Sequence, residues 1–271
     1  MAQVPPHWAQ ALWLTDSILK MINNNKCSIL MYLGLFIAGV MFIPMISSCG
    51  KDTGTNVSTA NAQINLINVS PDVHPFDLYS RINNSFVKFG NTNYTYPTPS
   101  GYFLLNVVDT PFLLRPSVID NVNITNLLPP VSIFQRNVRY TWFVTGLVGN
   151  KSLTSLIVPD TGSFPAIGRG KIRFVNTSSN SPLLNLTAND TLAFSRVAYK
   201  RFTEYIEVTA GNYNINVSAS SNPSVALVSL KNVTILDGQL YTIYSYGLTG
   251  RADTAAFNAS IILNSIPDKF N

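Results

Sequence analysis

Histidine, cysteine and charge are all scarce in this chain. Its 271 residues include 2 Cys, 2 His and only 11% charged side chains, against roughly 25% in ordinary soluble domains. Two cysteines are too few for a disulfide framework or a Cys-based zinc site. His7 lies near the start, so His74 is the one histidine of the main body. No G-x-S-x-G elbow or P-loop occurs. Lys and Arg are scattered, which argues against a nucleic-acid face. Apolar residues make up 46% against a net charge of +5, a balance that excludes intrinsic disorder. Polarity comes instead from Asn, Ser and Thr, as in VNTSSNSPLLNLTANDT.

What the chain does have is one long uncharged apolar run. After Lys26 comes CSILMYLGLFIAGVMFIPMI and then SSC. A basic start, an apolar centre and small residues before a cut describe a secretory signal peptide, here residues 1–48, with Met21 as the expected true start. Ile46-Ser47-Ser48-Cys49 resembles a bacterial lipobox, which implies cleavage before Cys49 and lipidation of Cys49 with diacylglycerol and palmitate. An uncleaved transmembrane anchor is the alternative, since roughly 20 apolar residues can cross a bilayer. Two acyl chains anchor stably where one is marginal. Residues 49–60 are small and polar and read as a flexible tether. Lys51-Asp52 resembles a shortened form of the surface-export signal of Bacteroidetes lipoproteins. The expected place is the bacterial cell envelope, on the outer membrane, facing outward or into the periplasm.

The rest is written twice. Gln63-Ile-Asn-Leu-Ile-Asn-Val-Ser70 aligns with Lys171-Ile-Arg-Phe-Val-Asn-Thr-Ser178, 108 residues on, and Phe76-Asp-Leu78 with Leu184-Asn-Leu186. Ser100–Val107 resembles Ala210–Val217, and Tyr140–Leu147 resembles Tyr241–Leu248. Apolar and polar residues alternate within these blocks, the signature of half-buried strands. In 171–176, Ile172 and Phe174 should face a core and Lys171 and Arg173 the solvent. Short strands between Asn, Ser, Pro and Gly turns predict an all-β fold: two tandem immunoglobulin-like antiparallel β-sandwiches. Their expected limits are 61–158 and 169–271, joined by a Pro/Gly-rich linker, 159–168. Prolines across 109–137 obscure strand order there.

These blocks, I-R-F-V-N-x-S then L-x-L, A-G-x-Y-x-I-x-V and Y-T-x-x-x-x-G, resemble domain-of-unknown-function 4397. That resemblance implies tandem sandwiches in envelope lipoproteins and supplies no catalytic residue.

Chemistry-bearing residues are few. Asp72, His74 and Asp77 could form a metal or acid–base group, but Ser70-Pro71-Asp72 is equally a turn. Glu204 and Glu207 have odd spacing, so on a strand they point apart, and they read as solvated partners of Lys200 and Arg201. No metal or other cofactor is expected. Six tyrosines are the candidate binding surface, Tyr94, Tyr96 and Tyr102 in the first repeat and Tyr241, Tyr244 and Tyr246 in the second, since aromatic faces suit glycans or protein partners. Several Asn-x-Ser/Thr sequons read as a by-product of composition. Thr191 and Thr254, in Asp-Thr-apolar settings, resemble O-glycosylation sites of Bacteroidetes. The expected function is a non-catalytic binding or adhesion module at the envelope, with a glycan or protein ligand. A structural accessory subunit of an outer-membrane complex is the alternative, and a hydrolase ranks third.

Overall fold

The computed structural model describes residues 60–117 and 125–265. The expected signal 1–48, Cys49 and nearly all of the expected tether lie outside these residues. All described residues fall in one compact unit, Val57–Asn271. Among them there is no helix.

Among the described residues the first repeat has seven strands: β1 (Asn61–Asn68), β2 (Phe76–Ile82), β3 (Ser85–Lys88), β4 (Pro99–Asn106), β5 (Leu113–Pro116), β6 (Arg139–Thr145) and β7 (Thr154–Pro159). They form two sheets, β4-β1-β6-β7 and β3-β2-β5. The second repeat contains β8 (Arg169–Asn176), β9 (Leu184–Ala188), β10 (Thr191–Val197), β11 (Arg201–Phe202), β12 (Ile206–Thr209), β13 (Gly211–Ala219), β14 (Asn222–Ile235), β15 (Leu240–Tyr246) and β16 (Asn258–Ser265). Its sheets are β11-β8-β15-β16, with β12 also on β8, and β10-β9-β13-β14.

The sandwiches are not wholly antiparallel. β1 runs parallel to β6, and β8 parallel to β15. Short turns constrain only strands adjacent in sequence, whereas these pairs meet after a long crossover that restores direction. One sequence match also joins strands that are not equivalent. β4, containing Ser100, pairs with β1, as β12 pairs with β8. The Ala210–Val217 block instead enters β13, which pairs with β9 and β14. A period of two marks a strand but does not say which sheet it joins.

Alternation sorts each central strand between two environments. Ile64, Leu66, Phe76, Leu78, Leu105, Phe112 and Trp142 fill the first core, and Ile172, Phe174, Leu184, Leu186, Val217 and Ile243 the second. The opposite faces of β1, β6, β8 and β15 do not meet water. Ile67, Phe143, Val158, Val175, Tyr244 and Ile262 form a third apolar cluster between the repeats. Lys171 and Arg173, expected at the surface, are 9% and 2% exposed. The second sandwich covers what a lone sandwich would leave to solvent.

A buried polar network closes one end of that seam. Arg173 pairs with Asp160 through Nη2, while its Nε donates to Thr242 Oγ1 (2.7 Å) and its Nη1 to the Pro159 carbonyl (2.8 Å). Asp160 Oδ2 accepts from Tyr102 Oη (2.5 Å) and Thr141 Oγ1 (2.8 Å). Tyr102 Oη in turn accepts from Asn264 Nδ2 (3.0 Å). Asp160 lies in the segment expected as a linker, yet its side chain is fully buried. Both charges are thus paired and hydrogen-bonded, the condition under which burial is tolerated. At the other end, Thr145 Oγ1 donates to the Thr177 carbonyl (2.6 Å).

Candidate functional site

The motif residues that identify the repeats build corners. Asn68 Oδ1 accepts the Ser70 N–H (3.1 Å), and the Ser70 hydroxyl donates to the Gly146 carbonyl (2.7 Å). The second copy repeats this with Asn176, Ser178 and Gly247 at 3.1 and 2.7 Å. Both glycines have positive φ, and a Cβ on either would sit 2.2 Å from a carbonyl oxygen. Tyr140 and Tyr241 each accept a backbone N–H from five residues upstream, from Gln135 and Leu236. These residues serve architecture in both repeats.

The residues offered for catalysis do not converge. Asp72 accepts the N–H groups of Val148 (3.0 Å) and Gly149 (2.9 Å). Burial opposes its ionisation, but these bonds and the Ser70 hydroxyl outweigh it and hold the carboxyl below its ordinary range. Asp77 is buried instead against Lys88 (3.0 Å) and the Ser117 hydroxyl (2.9 Å). His74 is exposed. Glu207 reaches Lys171 at 3.7 Å, not Lys200 or Arg201 as the spacing suggested. No group of three His, Cys, Asp or Glu could hold a metal among the described residues.

The six tyrosines do not share one surface. Tyr94 is 4% exposed and stacks on Phe76 at 5.6 Å inside the first core. Burial, then the Asp77 charge, pushes its hydroxyl up to about 12. Tyr102 belongs to the seam network, where burial and Asp160 push it well up. Tyr241 and Tyr244 are 8% and 0% exposed, the first in the second core and the second in the seam. Half-buried Tyr96 and Tyr246 meet edge to face across the repeats at 5.9 Å. Thr191 and Thr254 are exposed. A strand places side chains on alternate faces, so tyrosines close in sequence were divided between core, seam and rim.

A different surface gathers polar and cationic groups. The hairpin β2–β3 turns through Asn83 and Asn84, both at positive φ, the conformation a tight two-residue turn requires. On β2, Phe76, Leu78 and Ser80 face inward, while Asp77, Tyr79 and Arg81 alternate with them on the outer face. Phe86 lies opposite Arg81, and Lys88 opposite Tyr79. From β5, Arg115 reaches over the Tyr79 ring at 4.8 Å and the Phe86 ring at 5.3 Å. Its Nε donates to Asn126 Oδ1 (3.0 Å). Arg81 donates from Nη2 to Asn84 Oδ1 (2.8 Å). At the hairpin end, Arg81, Asn83, Asn84, Val108, Asp109 and Thr110 line an open cleft of about 390 Å³. An uncharged two-residue Asn-Asn turn between alternating segments was the available sequence signal for this hairpin. Nothing in sequence placed Arg115 beside it, because β5 sits in the proline-rich stretch.

No curated protein matches the chain. Among solved structures it is similar to the family 26 carbohydrate-binding module CBMbc of Eubacterium rectale Amy13K, crystallised with maltoheptaose. The identity is 11%, over 78% of this chain and 100% of that one, with a TM-score of 0.21. A candidate cell adhesion protein from Bacteroides eggerthii has 6% identity over 76% of this chain and 95% of its own, with a TM-score of 0.18. Likenesses this distant carry no functional argument. The family model described as "Domain of unknown function (DUF4397)" matches residues 62–187 and 170–264, and the chain, with its two copies of the corner motif, belongs to that family.

Proposed function

We propose that this protein is a non-catalytic binding module held on the cell envelope by a lipidated Cys49. The observation that carries the binding reading is the outer face of β3-β2-β5. Asp72, Asp77, Asp160, Arg173 and Lys171 all hold loops, sheets or the seam together. The side chains of Arg81 and Arg115 bond instead to neutral amides, Asn84 and Asn126, and pair with no carboxylate among the described residues. A lipobox followed by a short polar tether supports the location, since two acyl chains suffice for stable anchoring. Cys49→Ala should leave an uncleaved precursor or release the protein from membranes. A variant that fractionates and migrates like wild type rejects the anchor.

A structural accessory subunit of an envelope complex is the second reading, and β14 favours it. This strand is 14 residues long, lies at a sheet edge and is exposed from Asn222 to Leu227. An exposed edge segment without charge, as Asn222–Leu227 is, invites pairing with another chain. Crosslinking in intact cells followed by mass spectrometry separates the two: one stoichiometric protein partner on β14 supports the subunit, and its absence supports the binding module.

A further inference from the structure

We propose that the outer face of β3-β2-β5, together with the cleft at its hairpin, binds an oligosaccharide bearing carboxylates on successive sugars; this rests on the reading of the chain as a binding module and names its ligand class. Three observations converge.

The first is cationic charge held in place without a carboxylate partner among the described residues. Arg115 is fixed by two aromatic rings and by Asn126. Of its five N–H donors, those on the two terminal nitrogens have no partner among the described residues. Arg81 is braced by Asn84. Neither guanidinium meets a carboxylate within ion-pair distance among the described residues, whereas Lys88 is satisfied by Asp77. Guanidinium groups match carboxylates bidentately, and a side chain already held by stacking loses less freedom on binding.

The second is the cleft beside them. Amides from Asn83 and Asn84, the Asp109 carboxylate and the Thr110 hydroxyl offer donors and acceptors at close quarters. That mixture suits vicinal hydroxyls, each of which donates and accepts. Val108, 59% exposed, and Phe86, 38% exposed, supply apolar surface for sugar C–H groups. Its volume of about 390 Å³ lies within the roughly 300–1,000 Å³ of small-ligand sites. A uniformly acidic peptide would bring carboxylates but no vicinal hydroxyls to use these donors and acceptors.

The third is an internal control. In the second repeat β9 is the counterpart of β2, and it carries Asn185 and Thr187 where the first repeat has Asp77 and Tyr79; this shorter strand then turns through Asn189 and Asp190, both at positive φ, and has no residue in the place of Arg81. The same fold is built there without the aromatic or the cation. Architecture therefore does not require Tyr79 and Arg81.

Detergent-extracted full-length protein titrated calorimetrically with tetragalacturonate tests this, with maltotetraose and hexaglutamate as comparators. The uronate should bind at least about 10-fold more tightly than either. A charge-assisted hydrogen bond is worth roughly 1.5–3 kcal/mol, so Arg81→Gln and Arg115→Gln should each weaken binding about 10-fold or more. Lys151→Gln, on a distant loop, should leave it unchanged. Arg81 is exposed, so its variant should keep the wild-type melting temperature and remain interpretable if Arg115→Gln does not fold. No uronate binding, equal binding of maltotetraose, or full affinity in Arg81→Gln overturns the proposal. Preferential binding of hexaglutamate at the same arginines also overturns it, while leaving the binding-module reading intact.

Discussion

Replacing Arg173 with Met strips a buried carboxylate of the only cation that pairs with it among the described residues. The Asp160 side chain is 0% and that of Arg173 3% exposed, so water cannot take the guanidinium's place. Breaking such a pair from one side costs roughly 3–5 kcal/mol. The variant also takes from the Pro159 carbonyl and the Thr242 hydroxyl the donor that Arg173 supplies, although Thr242 keeps its bond to Asn264. We expect a loss near 4 kcal/mol, or about 2 M in urea midpoint at a slope of roughly 2 kcal/mol/M. Adding Asp160→Asn removes the stranded charge while leaving an acceptor for Tyr102 and Thr141, and should recover about half of the loss. The assay is urea unfolding of the Cys49→Ala form, followed by far-ultraviolet circular dichroism and by tryptophan fluorescence. Trp142, the only tryptophan after Trp13, reports the first repeat. The two probes should coincide in the parent and separate in Arg173→Met, because the seam couples the repeats. A midpoint shift below about 0.5 M, or a double variant no more stable than the single, would refute the reasoning.

Three further outcomes follow from the geometry. Gly146→Ala and Gly247→Ala each force a Cβ to within 2.2 Å of a carbonyl at positive φ; each should cost at least ~2 kcal/mol by thermal unfolding, and a neutral effect at either site removes the corner as a stabilising element. Tyr94, Tyr96, Tyr205 and Tyr244 are pushed up to about 12, in each case chiefly by burial. Folding thus retains protons that the unfolded chain releases near pH 10, and stability present below that pH is lost as pH rises towards 12. Phenolate absorbance should show these groups ionising together with unfolding, not before it. Asp72 is held below 3.8, so its contribution is present above that pH and lost as pH falls through its folded value. Protection of the Val148 and Gly149 amides from hydrogen exchange, relative to their intrinsic rates, should fall in acid, and Asp72→Asn should abolish that dependence.

Much of the fold was legible because strands of period two and a twofold repeat leave strong patterns. The Asn-x-Ser corners lie 108 residues apart in sequence and keep the same bonds in the structure. What could not be read was the destination of the polar side of each strand. Lys171 and Arg173 alternate with Ile172 and Phe174 as a solvent-facing pair would. Their burial depends on the first sandwich, whose last strand runs into Pro159 and Asp160 of the supposed linker. The tyrosines failed as a surface for the same reason, since parity sends Tyr241 to a core and Tyr244 to the seam. The candidate site was hidden differently. It needs Arg81 from a hairpin and Arg115 from a strand in a proline-rich stretch, and local pattern does not reveal which strands pair.

Protease treatment of intact cells tests the central claim most directly. A tethered module that presents the β3-β2-β5 face outward for binding should be degraded by added protease while periplasmic proteins in the same cells survive. Full protection of the protein on intact cells, with digestion only after the envelope is opened, contradicts outward display and moves the chain to the periplasmic subunit reading.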